Sequence, residues 1–319
     1  MISSNYDRRT FLQFGGALVG GLALNRSTVS AASSGRKMTI DLVCGAIGVK
    51  ANQFEAIDLA ARHGFESVGP NAGDLAQMTD AEKDKVRKAL ATKNLAFGAA
   101  GLPVEFRQTD AKFREGMSAL PEAAAALESV GATRIGTWIM PNHDHLTYLE
   151  NFKLHATRLR EAASILDDYG LRLGLEYVGP KTSWTSKRYA FIHTMAEMKE
   201  LLAEIGRANV GFVLDSWHWY TAGESAEDLL TLRNQDIVAV DLNDAPEGIP
   251  VEEQMDLVRR LPASTGVIDV KAFLSALVEI GYDGPVRAEP FDAELRKLPP
   301  DQAVAKTAKA MKKAFALID

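Results

Sequence analysis

The feature that most constrains this chain is an alternation that runs from residue 38 to the end. Eight short β-rich runs lie at Thr39–Cys44, Phe65–Val68, Ala96–Ala99, Arg134–Trp138, Arg172–Glu176, Val210–Asp215, Ile237–Leu242 and Val286–Glu289. Helical patterns separate them, at 52–63, 80–92, 110–130, 148–169, 190–205, 225–232, 269–280 and 301–317. Strands that alternate with helices build parallel sheets from repeated βαβ units. Eight units in under 300 residues predict a single-domain (β/α)8 barrel spanning residues 38–319. The competing arrangement is an open doubly wound sheet. It is disfavoured because no Gly-rich dinucleotide fingerprint follows the first strand. Gly64, Gly131, Gly170, Gly206 and Gly281 each stand between a helix and the next strand, where a left-handed cap is wanted. The longest stretch without period, Asp244 to Asp269, predicts a long loop with a short helix over one mouth of the barrel.

The residues before the barrel read as an address. Asp7-Arg8-Arg9-Thr10-Phe11-Leu12-Gln13 resembles the twin-arginine export motif. A short, Gly-diluted apolar stretch follows from Phe14 to Leu24, and Val29-Ser30-Ala31 fits a signal-peptidase site. The expectation is a signal peptide at 1–31, a linker at 32–37, passage through the twin-arginine machinery and a periplasmic protein. The alternative is a frayed N-terminal helix in a cytoplasmic protein. Cys44 is the one cysteine, which suits an oxidising compartment because it offers little scope for wrong disulfides.

Charge excludes other functions. Lys and Arg number 36 against 42 Asp and Glu, a net charge of −6. A nucleic-acid binder needs a basic excess or stripe, and neither is present. No apolar run reaches the roughly 18 residues of a membrane span, so no stable membrane anchor is expected.

Chemistry in such a barrel sits where strands end. The fifth strand ends in Glu176, the sixth in Asp215 and the eighth in Glu289, while the seventh carries Asp241 and Asp244. Four consecutive strands therefore deliver carboxylates to one rim. Packing alone does not favour this, because clustered carboxylates repel and burial raises the cost. A shared divalent cation resolves the conflict, and an all-oxygen set favours Mn or Mg, with Co as a further candidate. The alternative is four separate acids that cap helices or pair with Lys or Arg. After the fourth strand, His143 and His145 stand on the same rim; His145 is a candidate substrate contact. Trp138, Trp184, Trp217 and Trp219 are candidates to wall a sugar or to pack the core, with Trp184 placed in a polar loop. Lys181 is a candidate substrate contact and a candidate to balance the negative charge, the alternative being a solvated loop lysine. His63, His155 and His193 fall in helical patterns and read as structural.

Gly174-Leu175-Glu176, Leu214-Asp215-Ser216-Trp217-His218-Trp219, Val240-Asp241-Leu242-Asn243-Asp244, Gly266-Val267-Ile268-Asp269 and Gly281-Tyr282-Asp283-Gly284-Pro285 running to Glu289-Pro290-Phe291 resemble the xylose isomerase-like TIM-barrel superfamily of sugar isomerases and epimerases. The resemblance implies that Glu176, Asp215 and Glu289 hold a divalent metal and that His218 contacts substrate. It also implies a histidine on the seventh strand where this chain has Asp241. Either Asp241 ligates and its extra charge is compensated, or it does not bind the metal.

The function expected from this resemblance is metal-dependent isomerisation or epimerisation of a ketose or keto-sugar through an enediolate. Glu176 and Glu289 would exchange the proton. A first alternative is a periplasmic lyase or hydratase acting on 3-keto-glycosides through the same enolate. A second is a non-catalytic sugar-binding barrel. The partner expected in each case is a small carbohydrate. The oligomeric state is open, a homodimer included.

Overall fold

The computed structural model describes residues 35–319. The expected signal peptide lies outside the described residues. Among them, no helix is long and apolar enough to cross a membrane.

The eight expected strands form as β1 Thr39–Leu42, β2 Ser67–Val68, β3 in two segments (Ala96–Phe97 and Ala99–Gly101), β4 Arg134–Trp138, β5 Arg172–Glu176, β6 Val210–Asp215, β7 Ile237–Leu242 and β8 Pro285–Ala288. Each pairs in parallel with its neighbours, and β8 pairs with β1. The first segment of β3 pairs with β2 and the second with β4, so the ring closes through Gly98 between them. A side chain at Gly98 would meet both carboxylate oxygens of Asp41 at 2.5 Å. Glycine is required there because an acid packs against the backbone.

Eleven helices surround or cap this ring: α1 Gln53–His63, α2 Ala72–Gln77, α3 Asp80–Lys93, α4 Asp110–Ser129, α5 Tyr148–Asp168, α6 Lys181–Trp184, α7 Met195–Ile205, α8 Ser216–Thr221, α9 Ala226–Leu229, α10 Val270–Ile280 and α11 Pro300–Phe315. Their starts are written locally. Asn52 with Glu55, Thr79 with Glu82, Thr147 with Glu150 and Thr194 with Glu197 form capping boxes, which satisfy backbone N–H groups that a helix end leaves open. All five glycines expected after helices have positive φ. The helical pattern at 190–205 is an overestimate. Tyr189–Ala190 instead pairs antiparallel with Asn142–His143, and the helix starts only after the Thr194 cap. His193 therefore precedes its helix. In the irregular stretch after β7 the only helical turn is Val251–Glu253.

Side-chain parity along the strands positions the site. Successive residues of a strand face opposite sides, so alternate ones share the barrel interior. Gly136 and Trp138 share a face on β4, Gly174 and Glu176 on β5, Val213 and Asp215 on β6, Ala239 and Asp241 on β7, and Arg287 and Glu289 at β8. The layer beneath the acids is thus made of small residues, Gly136, Gly174 and Ala239, with Val213 packed toward both glycines. That leaves open space above it. The opposite parity, including Ile135, Leu173, Leu175, Phe212, Leu214, Val240 and Val286, is fully buried under the helices.

His155 on α5 has the structural role expected of it. It is buried between Phe106 and Phe191, with Nδ1 on the Asn151 carbonyl and Nε2 without a partner. Burial pulls its pKa down to about 4. The unfolded chain binds this proton near the ordinary pH of about 6.5, and the folded chain does so only near 4. Stability is therefore full above 6.5 and falls as pH drops between these values, by about 3 kcal/mol in total. His155→Phe should flatten that part of the acid limb in urea titrations at pH 4 to 7; an unchanged limb would assign the loss to other groups.

Candidate active site

Each acid arrives from a different strand end. Glu176 closes β5, Asp215 closes β6, Asp241 lies on β7 and Glu289 follows β8. Each of the four offers an oxygen within 4.8 Å of the others, and Glu176, Asp215 and His218 form a second such group. Asp215 also caps α8 by accepting from the Trp217 N–H, and this short helix brings His218 back toward the acids. His218 Nε2 is 3.8 Å from both Glu176 Oε1 and Asp215 Oδ2. Its Nδ1 faces the Gly179 N–H at 3.2 Å, and Arg259 Nη2 lies 3.2 Å from Nε2. A neutral imidazole accepts from only one of these donors.

Two arginines absent from the sequence expectation compensate the acids. Arg259 is buried. It donates through Nη1 to Asp215 Oδ2 at 2.7 Å and Glu289 Oε2 at 3.2 Å, and through Nη2 to Asp256 Oδ1 at 2.8 Å. Arg287 stands beside Asp241 in the β7–β8 register and donates to both of its oxygens, with a further contact to Glu289 Oε1 at 3.3 Å. Lys181, the expected counter-charge, is exposed instead. Arg287 was readable in principle, since it lies two residues before Glu289 on the same face of a strand. Arg259 was not, because it sits in the stretch without period.

Asp244 explains how that stretch folds. It is buried away from the metal-ligand candidates. Its carboxylate accepts from the backbone N–H groups of Ala245, Thr265, Gly266 and Ile268. Its backbone pairs with that of Arg260. One carboxylate thus ties both ends of the loop and sets Arg259 over the mouth. The Gln254 carbonyl accepts from Thr182 Oγ1 at 2.7 Å, which joins the loop to α6.

Burial dominates the electrostatics. It pushes Glu176 well above the ordinary carboxylate range, with Asp241, Glu289 and Asp215 adding to the effect. Asp215 rises to about 7 through burial, although Arg259 opposes the rise. Glu289 is also raised by burial, against Arg287. Burial, then Arg259, pulls His218 down to about 3, so it is neutral. Burial works against the charge of Arg259 too, but Asp215, Asp256 and Glu289 outweigh it.

Other expected contacts fall elsewhere. His145 is exposed; its backbone N–H donates to His143 Nδ1 and its ring stands edge-on to that of His143. Trp184 turns away from the cavity and stacks on His193, with centroids 4.6 Å apart, while its neighbours Thr182 and Ser183 line the cavity. Trp217 is fully buried, and Trp219 packs on Phe273. Trp138 does line the cavity. The cavity measures about 860 Å³ and contains Glu176, His218, Arg259, Arg287 and Glu289.

Residues 57–314 match the model of the xylose isomerase-like TIM barrel. The chain belongs to this family. An inosose isomerase of Bacillus velezensis is 28% identical over 265 residues, covering 81% of this chain and 90% of that protein. A 3-dehydroshikimate dehydratase of Pseudomonas aeruginosa is 29% identical over 46% of this chain but only 22% of its own length. Among solved structures, a xylose isomerase domain protein from Alicyclobacillus acidocaldarius superposes with a TM-score of 0.75 at 30% identity, over 88% of this chain and 99% of that one. The IolI protein, solved with a bound zinc atom, gives 0.72 at 23%, over 88% and 98%.

The donor set of this xylose isomerase-like barrel fits a divalent metal. Glu176 Oε1 is buried with no hydrogen-bond partner, an expensive state for a polar atom unless a cation or proton meets it. The charge count agrees. Four carboxylates against two guanidiniums leave two negative charges, while Asp256 stands partly solvated at the rim. Arg287 supplies a cation for the extra charge that Asp241 brings to the seventh strand.

Removing Arg259 should strand buried charge. Breaking a buried pair from one side costs about 3–5 kcal/mol. Arg259→Met should lower the melting temperature strongly without added metal, and a divalent ion should restore part of the loss. A melting temperature equal to wild type in EDTA would show that Arg259 does not compensate the acids.

Proposed function

We propose that this protein is a metal-assisted sugar isomerase or epimerase that moves a proton beside a carbonyl. The observation that carries the reading is the shared placement of Glu176 and Glu289. Glu176 is buried and Glu289 partly so, both are raised in pKa, and they offer oxygens within 4.8 Å of one another in a single cavity. Burial shifts both toward the protonated form, which suits a pair of acids that give and take a proton. The similarity to an inosose isomerase supports the same class.

Glu176, Asp215 and Glu289 would hold the metal, with Asp241 beside them and His218 behind. The bound ion supplies Lewis acidity at a carbonyl oxygen, and a hard ion such as Mn or Mg suits an oxygen-rich set. The protein does the rest. One glutamate takes the proton from the carbon next to the carbonyl, and the C–H electron pair enters the enediolate. The second glutamate returns a proton. Return to the opposite face of the same carbon gives an epimer, and return to the neighbouring carbon gives an isomer. Arg259 and His218 lie where they can orient substrate oxygens, and the barrel floor excludes water from below.

A second reading uses the same enolate. If a C–O bond β to the carbonyl breaks instead, its electron pair leaves with the aglycone and the enzyme is a lyase on 3-keto-glycosides. Similarity to a dehydratase supports this branch. Incubation with a 3-keto-glycoside separates the two, since aglycone release marks the lyase and a C-epimer marks the epimerase. We also propose that residues 1–31 direct twin-arginine export to the periplasm. Fractionation of cells expressing the chain with Arg8 and Arg9 replaced by Lys tests this.

Glu289→Gln should keep the fold and lose about 10²–10⁴-fold in turnover. The measurement is exchange of the substrate C–H into D2O, followed by NMR. Exchange near the wild-type rate would remove Glu289 from the mechanism.

A further inference from the structure

A sugar ring alone is too small for this cavity. About a dozen heavy atoms, each given the roughly 30 Å³ that a water molecule takes in the liquid, fill at most about 360 Å³. The cavity offers about 860 Å³. The surplus is not lined for more hydroxyls alone. Trp138, Met255, Leu257 and Val258 line it and are 40%, 57%, 65% and 44% exposed. They are four of the eight large apolar side chains exposed among the described residues. Half of the exposed apolar groups therefore gather around one opening, and such clustering marks a binding surface.

The placement along the chain is specific. Trp138 ends β4, two residues above the small floor residue Gly136. Met255, Leu257 and Val258 flank Asp256 and Arg259, so the loop that delivers the charged groups to the acids also presents apolar ones to the rim. Phe291 lies under Arg259, with the guanidinium 4.7 Å from its ring centroid, and lines the same cavity. The charged end and the apolar end of the cavity are continuous.

We infer that the apolar rim is a subsite for the aglycone of a glycoside, so that the substrate is a sugar carrying an aromatic or similarly apolar group and not a free sugar. This rests on the proton-transfer reading for the identity of the charged end, but its test does not. Wild-type protein and a Leu257→Ser, Val258→Ser double variant are titrated calorimetrically with phenyl β-glucoside and methyl β-glucoside. Neither probe has a ketone, so binding is read without turnover. Both substituted positions are solvent-exposed, and a thermal melt of the double variant checks that it is folded.

In wild type the phenyl glycoside should bind roughly tenfold tighter or better, the gain expected from burying an aromatic ring. In the double variant that advantage should fall to about threefold or less, with the methyl glycoside nearly unchanged. Equal affinities in wild type, no phenyl glycoside binding at millimolar concentration, or an undiminished preference in the variant would each overturn the subsite. So would light scattering that shows a wild-type dimer becoming a monomer in the variant, because the rim would then face a second copy. D2O exchange on phenyl 3-keto-β-glucoside, a keto-sugar that carries the apolar group, reports the other reading separately. Exchange without phenyl preference removes the subsite alone. Phenyl preference without exchange removes the proton-transfer reading alone.

Discussion

The structure turns on the burial of four carboxylates at one end of a barrel. Desolvation of even one such group costs several kcal/mol unless it is compensated, and four together repel one another. The protein meets this with two guanidiniums of different origin. Arg287 is built into β8 beside Asp241, so that pair is fixed by sheet register. Arg259 comes from a loop, so its contact with Asp215 and Glu289 depends on how that loop folds. One compensation is therefore rigid, and the other is conditional on the Asp244 carboxylate and its four backbone donors.

This division bears on the chemistry. Arg287 satisfies both oxygens of Asp241, which leaves that acid less free to act than the others. Glu176, with an unpartnered buried oxygen, is at the opposite extreme. Glu289 is intermediate, held at one oxygen by each arginine. A pair of acids in unlike surroundings is what a proton-exchange reaction needs, because donor and acceptor must differ at the moment of transfer. His218 completes the asymmetry by staying neutral beside the charged groups.

Most of the fold was legible in the sequence, and the reason is physical. Strands β4 to β7 form at their expected limits because β-branched and apolar runs between Gly and polar joints leave little choice of register. The gathering of Glu176, Asp215, Asp241 and Glu289 was legible for the same reason, since each stands at or beside the end of its strand and strand ends share a rim. The misses lie where local pattern does not decide position. Trp184 and His145 occupy rim loops, but one stacks on His193 and the other faces solvent, and no spacing rule distinguishes those outcomes. The pairing of Tyr189–Ala190 with Asn142–His143 joins segments nearly fifty residues apart. Arg259 depends on Asp244, whose carboxylate reads as one more acid until its backbone donors are seen.

The loop after β7 is thus the part of the molecule in which sequence reading is weakest and functional content greatest. A framework of paired strands fixes acids but cannot easily vary them, because each also sits on a buried stave. A loop tied at its ends by a single carboxylate can vary every residue between the ties. Among those residues are Met255, Asp256, Leu257, Val258 and Arg259, which mix apolar and charged side chains. The strands supply the clustered acids, and the loop supplies both the cation that makes those acids tolerable and apolar side chains at the cavity's rim. The segment that carries the compensating cation thus also carries the apolar rim, on separate side chains of one stretch of backbone.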